Sequence, residues 1–135
     1  MNYLEQGIKF KVKKVVRYLA LYGPSRTLMK IRGQLHMRNK YAKRFNEGKS
    51  AGDVAIVGCG YYSFTTIAYY LKNKTKGKLK ACCDIDLEKA KSLAGFYGAS
   101  IATTNFDVIL QDDDISIVFI ASNHSTHAEY AIEAL

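Results

Sequence analysis

The chain of 135 residues is 48% hydrophobic, which is enough for one domain with an apolar core and too short for a two-domain enzyme. No apolar run reaches the roughly 18 residues of a transmembrane helix, and the lysine-rich start lacks the apolar stretch of a signal peptide, so a cytoplasmic protein is expected. The net charge of +8 is concentrated in residues 1–50, which hold 13 Lys and Arg against two acidic residues, whereas residues 51–135 hold 7 Lys against 10 acidic residues. The positive charge therefore belongs to an extension and not to the following domain.

Residues 1–50 are predicted to form a basic helical extension. In its first helix lysines and Arg17 occupy one face, and the other face carries the apolar residues Ile8, Val12, Val15, Val16 and Leu19. Gly23-Pro24 ends this helix. A second helix is predicted, with an apolar side that consists of Leu28, Ile31 and Leu35. The small and polar segment 46–52 indicates a boundary between units.

Three roles are open for this basic extension: docking on the following domain, peripheral contact with an anionic membrane surface, or contact with nucleic acid. No recognised nucleic-acid motif accompanies the charge. Docking or a surface anchor is therefore favoured, and no specific nucleic-acid partner is expected.

Residues 51–135 show strands that alternate with helices. The predicted strands are 53–57, 78–83, 100–102 and 115–121, and the predicted helices are 64–71, 87–97, 106–110 and 126–135. This alternation predicts the α/β class, as a partial doubly wound parallel sheet of Rossmann type with right-handed crossovers, preceded by the basic helical leader.

The turn after the first strand reads Gly58-Cys59-Gly60-Tyr61-Tyr62-Ser63, a GxGxxG pattern with serine in the third position. Gly58 permits the tight turn, Gly60 lets the backbone approach a pyrophosphate, and the small Ser63 lets the helix pack closely on the strand. A helix that begins at Tyr61 and Tyr62 directs unpaired N–H groups at the phosphates. The alternative is an ordinary tight turn between a buried strand and a helix.

Asp84 ends the second strand, 24 residues after Gly60, which is close to the spacing at which an acid binds the adenosine ribose of a dinucleotide. A carboxylate there accepts hydrogen bonds from both ribose hydroxyls and repels a 2′-phosphate, so NAD is favoured over NADP. The alternative is a helix N-cap, a role that Asp86 also fits.

The segment from Ala121 to His127 follows the fourth strand, at the sheet edge that faces the ligand crevice in open α/β folds. Its residues Ala121, Ser122, Asn123 and His127 are candidate cofactor contacts. The alternatives are a plain N-cap or a metal pair of His124 and His127, which lacks a suitable third ligand nearby in sequence. No metal is expected.

Two further groups are interpreted as structural. The cysteines Cys59, Cys82 and Cys83 are expected to be reduced, buried thiols, because two of them are adjacent in an apolar run and point to opposite faces. The acidic run 112–114 is expected to be a solvated loop.

Together, segments 54–60, 83–86, 120–127 and 131–135 resemble the N-terminal domain of the Gfo/Idh/MocA oxidoreductases, the glucose-fructose oxidoreductase and inositol dehydrogenase family. The resemblance covers roughly residues 53–135. It implies a Rossmann domain followed by an α/β domain with a large, mostly antiparallel sheet, hydride transfer to or from a sugar, cyclitol or sugar nucleotide, and a homo-oligomer. It also implies that Gly58, Gly60 and Asp84 bind the cofactor. Asn123 and His127 match the family pattern directly, whereas Ser122 stands where the family commonly has proline.

In such enzymes a Glu-Lys-Pro motif and the substrate domain follow the last helix of this chain. We therefore expect a fragment without dehydrogenase activity by itself, and an unpaired sheet edge near Val118. One rival class is a short-chain sugar-nucleotide oxidoreductase or epimerase, whose glycine-rich turn has a different spacing. The other is a non-catalytic dinucleotide-binding module that residues 1–50 recruit to a membrane surface or a partner.

Overall fold

The computed structural model describes residues 7–49 and 51–135 and divides the chain into two compact units, Met1–Arg32 and Gly33–Leu135. A long helix, α1 (Ile8–Met37), is interrupted at Gly23, whose φ of 80° and ψ of 171° are not helical. Pro24 restarts the helix, since its fixed φ suits a first helical turn and its missing N–H is not needed there. The predicted break at Gly23-Pro24 is confirmed.

The predicted second helical segment is present, but its apolar side does not form the core. Leu28, Ile31 and Leu35 are all exposed, whereas Gly33 and His36 are buried. The physical reason is a close approach of backbone: a Cβ added to Gly33 would lie 2.5 Å from Cγ2 of Thr65. The helix therefore packs on the face that carries its smallest residue.

The unit Gly33–Leu135 is built around a four-stranded parallel sheet. Its strands are β1 (Val54–Val57), β2 (Leu79–Cys83), β3 (Ile101–Thr103) and β4 (Ile117–Ile120). Their order is β3-β2-β1-β4, with Ala55 of β1 opposite Ala81 of β2 and Val118 of β4. The predicted α/β class and the Rossmann-like sheet are confirmed.

Helices connect these strands. A turn with π-type hydrogen bonding, Ser63–Ile67, continues as α2 (Ala68–Lys74), and the later helices are α3 (Leu87–Tyr97), α4 (Asp107–Leu110) and α5 (His124–Glu133). The ends of α3 follow from local chemistry: the Asp86 carboxylate accepts from the Glu88 N–H at 3.0 Å, and Gly98 ends the helix in the left-handed region at φ 79°. The predicted helix 87–97 is confirmed at both ends.

The two faces of the sheet carry different cores, because neighbouring strand residues point to opposite sides. One face places Ala55, Val57, Ala81 and Cys83 against Phe106 and Ile109. An aromatic group surrounds Phe64, whose ring stacks on His36 at a centroid distance of 4.4 Å and on Tyr41 at 5.8 Å.

The sequence interpretation places the unit boundary between residues 50 and 51, whereas the structure divides the chain between Arg32 and Gly33. Residues 33–45 belong to the same unit as the sheet, because they pack against Phe64 and against α3. Besides the His36 and Tyr41 stacking, a Cβ on Gly95 of α3 would lie 2.5 Å from the Tyr41 carbonyl oxygen. A short 3-10 turn, Ala42–Arg44, completes this packing on α3.

β4 is an edge strand of the sheet, paired with β1. Its Ile117 and Phe119 are exposed on one face. In the described part of the chain, no helix has both the length and the hydropathy of a membrane span.

Candidate functional site

A cleft of about 260 Å³ opens at the carboxyl ends of β1, β2 and β4. Open α/β sheets bind their ligands at this edge. The cleft is lined by Val57, Gly58, Gly60, Cys83, Asp84, Ile85, Thr104, Ala121, Ser122, Asn123, Thr126 and Tyr130. Six of the predicted contacts thus line one cleft: Gly58, Gly60, Asp84, Ala121, Ser122 and Asn123.

A larger cleft of about 500 Å³ lies at the opposite edge, where β2 begins, and Lys72, Lys76 and Lys78 are among its lining residues. It contains none of the predicted contacts. The smaller cleft is therefore the candidate site.

Gly58 is required by the backbone itself. Its φ is +90°, its N–H donates to the Cys83 carbonyl at 2.8 Å, and an added Cβ would lie 2.5 Å from the carbonyl carbon of Ala121. Below the turn, the buried Ser63 hydroxyl donates to the Gly58 carbonyl. Glycine at 58 and a small hydroxyl residue at 63 therefore hold β1, β4 and the following helix together.

Gly60 has a different environment. A Cβ added there would meet no protein atom within 4 Å, and its φ is not positive. The fold of the described residues thus does not need glycine at 60, and the space above it belongs to the cleft. An open backbone at this point fits a pyrophosphate, which must approach without a side chain in the way.

Asp84 is held in a fixed orientation at the end of β2. Its Oδ2 accepts from the Cys59 N–H at 2.6 Å, and its Oδ1 accepts from the Asp86 N–H at 2.9 Å. An ionised carboxylate has about four acceptor positions, so two remain for a ligand. Because the Asp86 side chain caps α3, Asp84 is left to the cleft.

His36 was missed by the sequence interpretation. It is fully buried, its Nε2 lies 2.7 Å from the Cys59 carbonyl oxygen, and its Nδ1 lies 2.9 Å from Oγ of Ser92. Since a carbonyl only accepts, Nε2 donates and Nδ1 accepts from the serine hydroxyl. Burial lowers the pKa of His36 below 6.5, which favours the neutral ring that these two hydrogen bonds require.

The Cys59 peptide is therefore held at both ends: its N–H donates to Asp84, and its carbonyl accepts from His36. This peptide lies between the two glycines of the turn. The burial of His36 could have been inferred from Gly33, which lies three residues earlier on the same helical face. A glycine inside a helix often marks close packing.

The loop after β4 is ordered by its own side chains. His127 donates from Nε2 to the Ser122 carbonyl at 2.7 Å, and the Ser122 and Thr126 hydroxyls are 2.9 Å apart. His127 thus supports the cleft wall from behind. Among residues 7–49 and 51–135, no group of three or more His, Cys, Asp or Glu side chains is placed to hold a metal ion.

Four predicted contacts have side chains that do not line the cleft: Tyr61, Tyr62, Ser63 and His127. Tyr62 is 64% exposed, Tyr61 places its ring against Gly33, and Ser63 is buried below the turn. Thr104, Thr126 and Tyr130 line the cleft instead and were not predicted. Thr126 could have been found, because it lies inside the predicted segment from Ala121 to His127.

All three cysteines are buried free thiols, as predicted. Burial raises the pKa of Cys83 to about 11, and the nearby Asp84 charge adds to the shift. The pKa of Cys59 is raised well above its ordinary value by a hydrogen bond with Cys82 and by burial. Cys59 and Cys83 therefore remain protonated at neutral pH, and all three cysteines belong to the core.

The comparisons with known proteins agree with this geometry. Residues 53–135 match the Gfo/Idh/MocA model, described as an oxidoreductase family with an NAD-binding Rossmann fold. Inositol 2-dehydrogenase 3 of Saccharopolyspora erythraea is 32% identical over 82 residues, which cover 61% of this chain and 24% of that enzyme. The chain thus spans about a quarter of the length of this curated relative.

Proposed function

This chain belongs to the Gfo/Idh/MocA oxidoreductase family and carries its NAD-binding Rossmann domain, and we propose that its cleft binds NAD for hydride transfer to or from a sugar, cyclitol or sugar nucleotide. The observation that carries the proposal is the presence of an oriented Asp84 carboxylate and the open backbone at Gly60 in one cleft. The two groups match the two polar parts of a dinucleotide, the ribose and the pyrophosphate.

Asp84 is assigned to the adenosine ribose. Its two free acceptor positions suit the 2′- and 3′-hydroxyls, and its negative charge disfavours a 2′-phosphate. NAD is therefore the proposed cofactor in preference to NADP. The fixed orientation of the carboxylate lowers the entropy cost of ligand binding.

Gly60 and the backbone at Tyr61 and Tyr62 are assigned to the pyrophosphate, at the start of the helix that follows the turn. Ala121, Ser122 and Asn123 are assigned to the other side of the dinucleotide, because they line the wall that β4 provides. When bound, the nicotinamide ring supplies or accepts the hydride.

The substrate class rests on the relative named inositol 2-dehydrogenase, since a cyclitol carries secondary alcohols of the kind that exchange hydride with NAD. We assign the cleft residues to cofactor binding alone. Substrate selection and proton transfer are proposed to depend on other residues.

The test is calorimetric titration of the chain with NAD and NADP, repeated on Gly60→Ala. Because an added Cβ at 60 meets no protein atom within 4 Å, the variant should keep its unfolding midpoint. It should bind NAD at least about tenfold more weakly, since the methyl group occupies the approach of the pyrophosphate. Gly48→Ala is the matched control, because it also has open space.

Asp84→Asn tests the cofactor preference. The variant should bind NAD more weakly and lose most of the discrimination against NADP, because the repelling charge is gone. Equal NAD affinity for the unchanged chain and Gly60→Ala would contradict the pyrophosphate assignment. A saturable NADP preference in the unchanged chain would contradict the assignment of Asp84.

A further inference from the structure

The first helical segment of α1, residues 8–22, presents an apolar face to solvent. Its side chains are spaced by three and four residues and therefore lie on one side of the helix. Exposure runs from 80% at Ile8 to 43% at Leu19. The set is Ile8, Val12, Val15, Val16 and Leu19. A continuous exposed apolar face is unusual on a charged helix and marks an interaction surface.

Basic side chains flank this apolar face and occupy the opposite side of the same segment, which they share with the exposed Phe10 and Leu21. They are Lys9, Lys11, Lys13, Lys14 and Arg17, and all are exposed. No acidic residue occurs between residues 7 and 46. The segment therefore combines apolar area and positive charge, without the acidic groups that would neutralise it within the helix.

We propose that residues 8–22 bind an anionic lipid surface. The segment has 15 residues and is about 22 Å long, and it ends at the non-helical Gly23. A helix of this kind lies in the plane of the membrane, with its apolar face among the acyl chains and its lysines at the anionic headgroups.

Nucleic acid and a second copy of this helix would each contact only part of this surface. Nucleic acid would contact the basic face and leave the valines in water. A second copy of the helix would cover the apolar face but would leave the five basic side chains without negatively charged partners. An anionic bilayer satisfies the apolar and the basic side chains at the same time.

The test is cosedimentation of the full chain with phosphatidylcholine vesicles and with vesicles that also contain about 30% phosphatidylserine. Binding is expected with the anionic vesicles, and it should fall at least about tenfold between roughly 0.1 M and 0.5 M salt, because screening weakens the headgroup contacts. Two double variants separate the contributions: Val12→Gln with Val16→Gln removes apolar contact, and Lys9→Gln with Lys13→Gln removes charge.

Each double variant should lower vesicle binding by about tenfold or more while leaving the helical circular dichroism signal unchanged, since all four side chains are exposed. The matched control is Lys74→Gln with Lys76→Gln, which removes the same charge from exposed positions of the other unit and should bind as the unchanged chain does. Absence of binding to the anionic vesicles overturns the proposal. Binding that is lost with the lysines but kept without the valines, together with equally salt-sensitive binding to a DNA duplex, assigns the surface to nucleic acid instead.

Discussion

Replacing His36 with leucine should destabilise the unit Gly33–Leu135 and weaken NAD binding together. Leucine places an apolar side chain of moderate size beside Phe64, but it lacks the two ring nitrogens of His36. The Cys59 carbonyl then loses a 2.7 Å hydrogen bond in a buried place, which costs about 1–3 kcal/mol. Ser92 loses less, because its hydroxyl also lies 3.5 Å from the His36 carbonyl oxygen. The expected loss is about 2–4 kcal/mol.

The assay is urea unfolding followed by far-ultraviolet circular dichroism, with Ser92→Ala as the matched control. That variant removes only the hydroxyl that donates to Nδ1 and should lose about 1 kcal/mol. In the His36→Leu background the same serine change should cost less, because its ring partner is already gone. NAD affinity should fall several-fold in His36→Leu and change little in Ser92→Ala, since only the first releases the Cys59 peptide.

A pH series gives a second check on His36. Its folded pKa lies below 6.5, so the unfolded chain binds more protons between the two values. The stability that neutral His36 contributes is therefore fully present above pH 6.5 and is lost as the pH falls through the folded pKa. The difference in unfolding free energy between the unchanged chain and His36→Leu should therefore become smaller at acidic pH. Parallel stability curves from pH 8 to pH 5, or an unchanged unfolding free energy for His36→Leu, would refute the reasoning.

Two further outcomes are expected. Gly58→Ala should lose about 3 kcal/mol or more in thermal unfolding, because its φ is +90° and its Cβ would lie 2.5 Å from backbone, whereas Gly48→Ala, with open space, should stay near the original midpoint. Asp112→Asn should lower the unfolding midpoint at pH 7, because Lys80, 2.7 Å away, holds the pKa of Asp112 below 3.8. That difference should vanish as the pH falls through the lowered pKa, and replacement of the exposed neighbour, Asp113→Asn, should leave the midpoint at pH 7 unchanged.

The parts of the fold that sequence could predict are those with local causes. Asp86 and Gly98 mark the two ends of α3 by capping chemistry, and the break at Gly23-Pro24 follows from the conformations that glycine and proline allow. The order of strands and helices predicts a parallel sheet in the same way. The acidic run 112–114 shows the limit of local reasoning, because Asp112 and Asp114 pair with Lys80 of β2 and are not merely solvated.

The parts that could not be predicted depend on distant contacts. His36 meets Ser92 across 56 residues of sequence, and no periodicity near either residue indicates the pairing. The buried face of the second helical segment could not be predicted, because hydrophobic spacing points to Leu28 and Ile31, whereas close packing at Gly33 determines which side is buried. The division between units differs from the predicted boundary for the same reason. Residues 33–45 have the basic composition of the extension, but they contribute aromatic side chains to the core of the following unit.

The two glycines of the turn differ in what they indicate about a ligand. Gly58 is fully explained by the protein, since its positive φ and the nearby Ala121 backbone exclude any side chain. Gly60 has no such explanation among the described residues, because its added Cβ would stand in open space. A glycine that the fold does not require, on the wall of a cleft that also holds an oriented carboxylate, points to something outside the protein that must come close. The Gly60→Ala titration therefore tests the cofactor assignment more directly than any change at Gly58, whose effect on binding cannot be separated from its effect on folding.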